Sequence, residues 1–268
     1  MVIRPADHGI FAGQGGVAQP VAAYFGGGYT NTLVTTVDKV AFADDSLTTL
    51  GTGLSSARYG LAGAANSGVA GYFAGGYGPW PPVTTVDKFA FPGDSRTTLG
   101  TGLSAARRGL GGAANSGVAG YFAGGDTGSA YLSTVDKFAF PGDGRTTLGT
   151  GLSTTPFENA GLANSGVAGY FAGGYVGGGV WTTTVDKFAF PGDSRSTLGT
   201  GLAVGLAALA GAANSGVAGY FAGGTTGSNV RTIYKFAFPG DGRTTLSAQL
   251  SSSFGNRSLA GLADSGIL

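Results

Sequence analysis

The pentapeptide Tyr-Phe-Ala-Gly-Gly begins at Tyr72, Tyr121, Tyr170 and Tyr220, and a variant with glycine in place of alanine begins at Tyr24. Successive tyrosines are 48, 49, 49 and 50 residues apart. A period of that size marks a repeat architecture, in which each unit is one supersecondary element that needs its neighbours to bury its apolar face. A chain of 268 residues would accommodate two ordinary domains. No linker or break in composition separates the copies, so the spacing predicts one large domain of five like units.

One copy, Gly109 to Arg145, shows what the unit is. Gly109–Ala114 is small and apolar, and Asn115-Ser116-Gly117 is a turn tripeptide whose Asn and Gly tolerate positive φ. Val118–Ala123 is an apolar strand stopped by Gly124-Gly125. After a variable polar stretch, Thr134–Phe140 alternates aromatic and β-branched residues with polar ones, which predicts a third strand. Pro141–Arg145 is a second tight turn, and Thr146–Leu152 reads as a fourth strand. Gly and Pro interrupt every segment before it reaches helical length. Ala203–Ala213 could form a helix in isolation, but its register matches the first strand of the other copies. Four short antiparallel strands in about 49 residues describe a propeller blade. The expected fold is therefore all-β, a five-bladed β-propeller of four-stranded antiparallel blades; a solenoid of stacked β-units is the alternative. Small residues in the first strand suit the crowded position beside the axis.

The ends of the chain predict how the ring closes. The first unit, opening at Val21, has Ala18-Gln19-Pro20 where the other copies have Asn-Ser-Gly. The C-terminus carries an unmatched first strand, Ser258–Ala263, followed by the turn Asp264-Ser265-Gly266. Ser258–Ala263 would then complete the first blade and remove an exposed sheet edge. Residues 21–268 form the propeller in this reading, and 1–20 an N-terminal arm able to dock to a larger assembly. The alternative is that Ile10–Gln14 supplies the first strand itself.

A small-residue strand, a turn, an apolar strand ending in Gly-Gly and an aromatic third strand together resemble the kelch repeat. The resemblance covers about residues 21–268. It rests on Gly27-Gly28, Gly75-Gly76, Gly124-Gly125, Gly173-Gly174 and Gly223-Gly224, with Val40, Phe89, Phe138, Phe188 and Phe236 at the aromatic position. It implies a propeller. Kelch units carry a fourth-strand tryptophan, whereas Thr97-Thr98-Leu99 stands in that region here. The chain also looks similar to kelch-like proteins of bacteria and their phages. The turns of the type Pro92–Arg96 resemble the Asp-box of sialidase-like propellers, but the Asp-to-Gly spacing departs from that motif.

Comparison of the five copies divides the loops. The first-to-second turn (Asn-Ser-Gly) and the third-to-fourth turn are constant and share one face of a meander. The second-to-third loops and the connections between blades vary and share the other, which makes that face the better candidate for binding. Its candidate residues are Tyr29, Tyr77, Trp80, Asp126, Tyr131, Tyr175, Trp181, Asn229 and Arg231 from the loops, with Arg58, Tyr59, Arg107 and Arg108 from the connections. Another connection carries Phe157-Glu158-Asn159. Aromatic rings beside Asn, Asp and Arg suit sugars, which stack an apolar face and hydrogen-bond their edges. Trp80 and Trp181 would equally serve to cover the core. The recurring Asp-Lys pairs (Asp38-Lys39, Asp87-Lys88, Asp136-Lys137, Asp186-Lys187) read as links between blades. Asp94 with Arg96, and the equivalent pairs, read as turn fixtures.

Several function classes are disfavoured. Fifteen Lys+Arg against 14 Asp+Glu give a formal charge of +1, with no basic face for nucleic acid. The chain has no cysteine, one histidine (His8) and one glutamate (Glu158), so neither a His-dependent triad nor a thiolate or multi-histidine metal site is expected. The kelch-propeller copper oxidases use histidine and cysteine that this chain does not supply. No catalytic residue, metal or cofactor is predicted. No segment reaches the ~18 apolar residues of a membrane span, and the N-terminus lacks the pattern of a secretory signal. The reading is a non-enzymatic binding or structural propeller. Its most concrete form is a virion-associated or surface adhesin for glycans. An intracellular protein-interaction propeller is the alternative, and a glycan hydrolase or lyase using Glu158 is the third.

Overall fold

A second strand of Ala-Gly-Tyr-Phe-Ala is apolar on both faces, so it needs a sheet packed on either side. The computed structural model describes residues 22–29, 31–79 and 81–251, and it supplies those sheets. The described residues contain no helix. The third blade runs Gly111–Asn115, Ala119–Ala123, Val135–Ala139 and Gly144–Thr147 as an antiparallel meander. The second (Ala62–Asn66 to Ser95–Thr98), fourth (Ala160–Asn164 to Ser194–Thr197) and fifth (Ala210–Asn214 to Gly242–Thr245) repeat it. The first has three described strands, Ala22–Gly26, Val37–Ala41 and Leu47–Thr49. The sheets form a five-bladed β-propeller. The expected closing strand Ser258–Ala263, the alternative Ile10–Gln14 and the arm 1–20 lie outside the described residues. The fourth strand begins earlier than expected and ends at Thr147 rather than Leu152. Leu152 instead buries its side chain while its N–H donates to the Ser133 carbonyl at 2.7 Å.

The core is divided among the seams between blades. Tyr121 and Phe122 are neighbours on a strand and therefore face opposite ways. Tyr121 reaches the following blade, where its ring stacks 5.1 Å from Phe190 and its hydroxyl donates to Asp193 at 2.7 Å. Phe122 faces the preceding blade and packs in one cluster with Ala62, Tyr72 and Val86. Tyr24, Tyr72 and Tyr170 donate in the same way to Asp94, Asp143 and Asp241, at 2.6, 2.7 and 2.7 Å. The third-strand lysines meet the same acceptors, Lys39–Asp94 at 2.8 Å, and Lys88–Asp143, Lys137–Asp193 and Lys187–Asp241 each at 2.6 Å.

The lysine of each Asp-Lys pair thus links two blades, as expected. The turn Asp and Arg do not pair with each other. Asp94, Asp143, Asp193 and Asp241 receive donors from the preceding blade, while Arg145, Arg195 and Arg243 donate to the carbonyls of Gly102, Gly151 and Gly201 at 3.0, 3.1 and 2.9 Å. Burial and the Asp193 carboxylate push the Tyr121 phenol well above its ordinary pKa, so it remains a donor. Tyr121→Phe should cost about 1.5–3 kcal/mol, the range for a hydrogen bond to a charged group. Urea denaturation of the variant would measure it, and a midpoint identical to wild type would refute the seam bond.

Two features hold the constant face and the axis. Asn66, Asn115 and Asn164 accept the N–H groups of Gly117, Gly166 and Gly216 in the next blade's turn, at 2.8, 2.9 and 2.8 Å. This explains why Asn-Ser-Gly recurs: the turn is a seam fixture as well as a bend. Nearer the axis the first strands approach so closely that a Cβ on Gly112 would lie 2.1 Å from the Gly63 carbonyl oxygen. One on Gly161 would lie 2.2 Å from that of Gly112.

Candidate functional site

The variable loops and the blade connections meet on one face through backbone bridges. Tyr59 pairs with Tyr77, Arg108 with Asp126, Phe157 with Tyr175, and Ala207 with Thr225. Each pair joins the connection entering a blade to that blade's own second-to-third loop. One residue further on, a hydrogen-bonded ladder runs between blades. Gly109 N–H donates to Gly60 at 2.7 Å, Glu158 N–H to Gly109 at 2.7 Å, and Ala208 N–H to Glu158 at 2.9 Å. Side chains on this face therefore stand on fixed backbone.

The rings of this face form a continuous belt. Tyr29 lies 6.3 Å from Tyr59, and Tyr59 lies 5.5 Å from Tyr77. The Arg108 guanidinium bridges the next gap, 4.8 Å from the Tyr77 ring and 5.3 Å from Phe157. Phe157 lies parallel to Tyr131 at 5.9 Å, Tyr131 meets Tyr175 edge-on at 5.7 Å, and Tyr175 meets Trp181 at 5.8 Å. The belt therefore runs from the first blade's loop to the fourth's. Trp181 sits in a short ribbon, Tyr175–Gly177 paired with Val180–Trp181, that projects from the fourth blade.

At the far end of the belt the loops enclose a cleft of about 280 Å³, lined by Tyr131, Phe157, Glu158, Tyr175, Trp181 and Thr225 among others. Glu158 holds φ at +59°, in the left-handed region where the equivalent residues are Gly60 and Gly109. Ala208 takes the same conformation in the fifth blade, so the feature that sets Glu158 apart is its carboxylate. Burial raises the Glu158 pKa, and the positive charge of Arg108 opposes that rise only in part. Arg108 is itself committed. It donates Nε and Nη2 to Asp126 Oδ2 at 3.2 and 3.1 Å, and Nη1 to the Tyr59 hydroxyl at 2.9 Å. Burial works against its charge, but these partners outweigh it and raise its pKa.

The structure thus brings Tyr29, Tyr59, Tyr77, Arg108, Asp126, Tyr131, Tyr175 and Trp181 onto one face. Asn229 and Arg231 are exposed on the fifth blade, where Arg231 Nε donates to the Leu250 carbonyl at 2.6 Å. Trp80 lies outside the described residues. Arg58 and Arg107, expected on this face, are not part of it. Both are 0% exposed, and they pair with Asp87 and Asp136 at 2.9 and 3.1 Å beneath the face. Their positions in the variable connections reflect a changing scaffold partner. Sequence reasoning left Phe157 and Glu158 off the list of binding candidates. The available signal was a unique glutamate at a position that is glycine or alanine in three other copies.

No protein-family model and no curated protein matches the chain. A solved structure of YjhT matches with a TM-score of 0.73, over 92% of this chain and 85% of that one, at 16% identity. The fold is a β-propeller. At that identity the likeness extends to the scaffold alone, which hosts many unrelated activities.

Proposed function

We propose that the protein is a non-enzymatic binding propeller that holds an extended glycan across the aromatic belt. The observation that carries this reading is the run of rings from Tyr29 to Trp181 on rigid backbone, joined across its one gap by Arg108, which Asp126 holds. Sugar rings stack their apolar faces on such side chains and hydrogen-bond to polar groups at the rim. A belt that crosses several blades favours a polymer over a single sugar. The setting we propose is a surface or virion-associated adhesin, built on a divergent kelch-like repeat.

A glycan array probed with the full chain tests the reading. Polysaccharide binding is expected, and Trp181→Ala should weaken it about tenfold or more, as loss of one anchoring aromatic does. Tyr29→Ala, at the opposite end of the belt, should weaken long glycans more than short ones. No glycan bound, or binding indifferent to both substitutions, would overturn the proposal. Turnover of a bound glycan that vanishes in Glu158→Gln would replace it with a hydrolase or lyase.

A further inference from the structure

We propose that the cleft at the Trp181 end of the belt receives an ammonium group carried by the ligand, either an unacetylated amino sugar or a choline-type substituent. The inference rests on the glycan reading and names the chemistry of one subsite within it.

Three observations meet there. Tyr131, Phe157, Tyr175 and Trp181 wall the cleft, and aromatic faces attract cations through the negative charge of their π-systems. Glu158 is the only carboxylate in its lining, and that carboxylate has no hydrogen-bond partner among the described residues. Its main chain is fixed at both ends by the ladder, through Gly109 and Ala208, so the side chain springs from rigid backbone at the cleft. The nearby cation, Arg108, is already balanced by Asp126, which leaves the Glu158 charge for a ligand. The volume of about 280 Å³ suits one compact head group or one sugar ring. A neutral sugar would use the walls but leave the half-buried carboxylate without a matching charge. A cation with apolar or C–H surface satisfies both.

Trp181 lies in the wall, so its fluorescence reports occupancy. In a Trp80→Phe background it is the remaining tryptophan. The full chain would be titrated with tetramethylammonium, glucosamine and N-acetylglucosamine at constant ionic strength. The proposal expects a saturable signal from at least one of the two cations, weakened tenfold or more by Glu158→Gln. N-acetylglucosamine should shift less than twofold in that variant. Response to tetramethylammonium alone identifies a choline-type group; response to glucosamine alone identifies an amino sugar.

Binding of the cation should fall as pH drops through the Glu158 pKa, because only the ionised carboxylate attracts it. That pKa is raised by burial, so the loss should begin above the usual carboxylate range. The groups facing Glu158 are Arg108, which stays charged, and Tyr131, whose phenol is pushed up from its ordinary value and stays neutral across this window. Tyr175→Leu, which removes a wall and leaves the charge, should also weaken tetramethylammonium, and it serves if Glu158→Gln fails to fold. Cation binding unchanged in Glu158→Gln, or no response to either cation, overturns the inference. Polysaccharide binding on the array sensitive to Tyr29→Ala would persist in that event, so the two readings fail separately.

Discussion

Replacing Arg107 by leucine is expected to lower the unfolding free energy by about 3–5 kcal/mol, and adding Asp136→Tyr should restore most of that loss. The single change leaves a carboxylate buried without its cation, the costly way to break such a pair. Asp136 would keep the Ser104 N–H and hydroxyl and the Thr147 hydroxyl at 2.8, 2.9 and 2.7 Å, which favours the lower end of the range. The double change copies what the fifth blade already contains. There Leu206 and Tyr234 occupy the equivalent positions at 0% and 2% exposure, within one apolar cluster. Denaturant titration of both variants decides the matter. A double variant no more stable than Arg107→Leu would show that the pair is not an exchangeable unit.

The second blade adds a pH signature to the same pair. Burial alone would raise the Asp87 carboxyl, but the Ser55 N–H, the Thr98 and Ser55 hydroxyls and Arg58 together hold it below its ordinary value. A depressed folded pKa means the stabilisation is complete above the unfolded value, about 3.9, and is lost only as pH falls through the lower folded one. Stability should therefore hold through mild acid and fall steeply below that range.

Gly112→Ala is expected to be a severely damaging single-methyl change near the axis. Overpacking commonly costs about 1–3 kcal/mol and sometimes more. Here the methyl would meet a backbone carbonyl, which cannot swing aside as a side chain can. The first strands would have to separate, and with them the seams of the second and third blades. Gly142→Ala is the matched control, because a Cβ there meets nothing within 4 Å. Thermal unfolding of the two variants should differ widely; equal midpoints would mean that the first strands are not tightly confined.

The scaffold was legible because its determinants are local and repeated. Strand-forming segments, turn tripeptides and Gly-Gly stops recur in each copy, and period-two alternation identifies which side chains share a face. Arg58 and Arg107 were misread because variability in a connection was taken as a sign of ligand contact. Their true partners lie 29 residues on; the fifth copy replaces both Arg and Asp, by Leu206 and Tyr234, whereas the fourth has Pro156 and keeps Asp186, so the pairing was not legible as a joint change. The aromatic belt could not be read at all from residue spacing. Its members come from separate loops and connections of several blades, and only the curvature of the propeller brings Tyr131 beside Phe157 and Tyr175.

The seam chemistry also has a direction. The first four blades each offer a tyrosine hydroxyl and a lysine forward, and the next blade presents an aspartate backward. Tyr220 with Lys235 and Asp45 are the same groups on the fifth and first blades. The four joints from the first blade to the fifth being alike, a module among them could be duplicated or lost in register without any new interface having to evolve. Descent by tandem copying then needs only the belt-bearing loops to diverge, so the number of modules and the choice of ligand can drift independently.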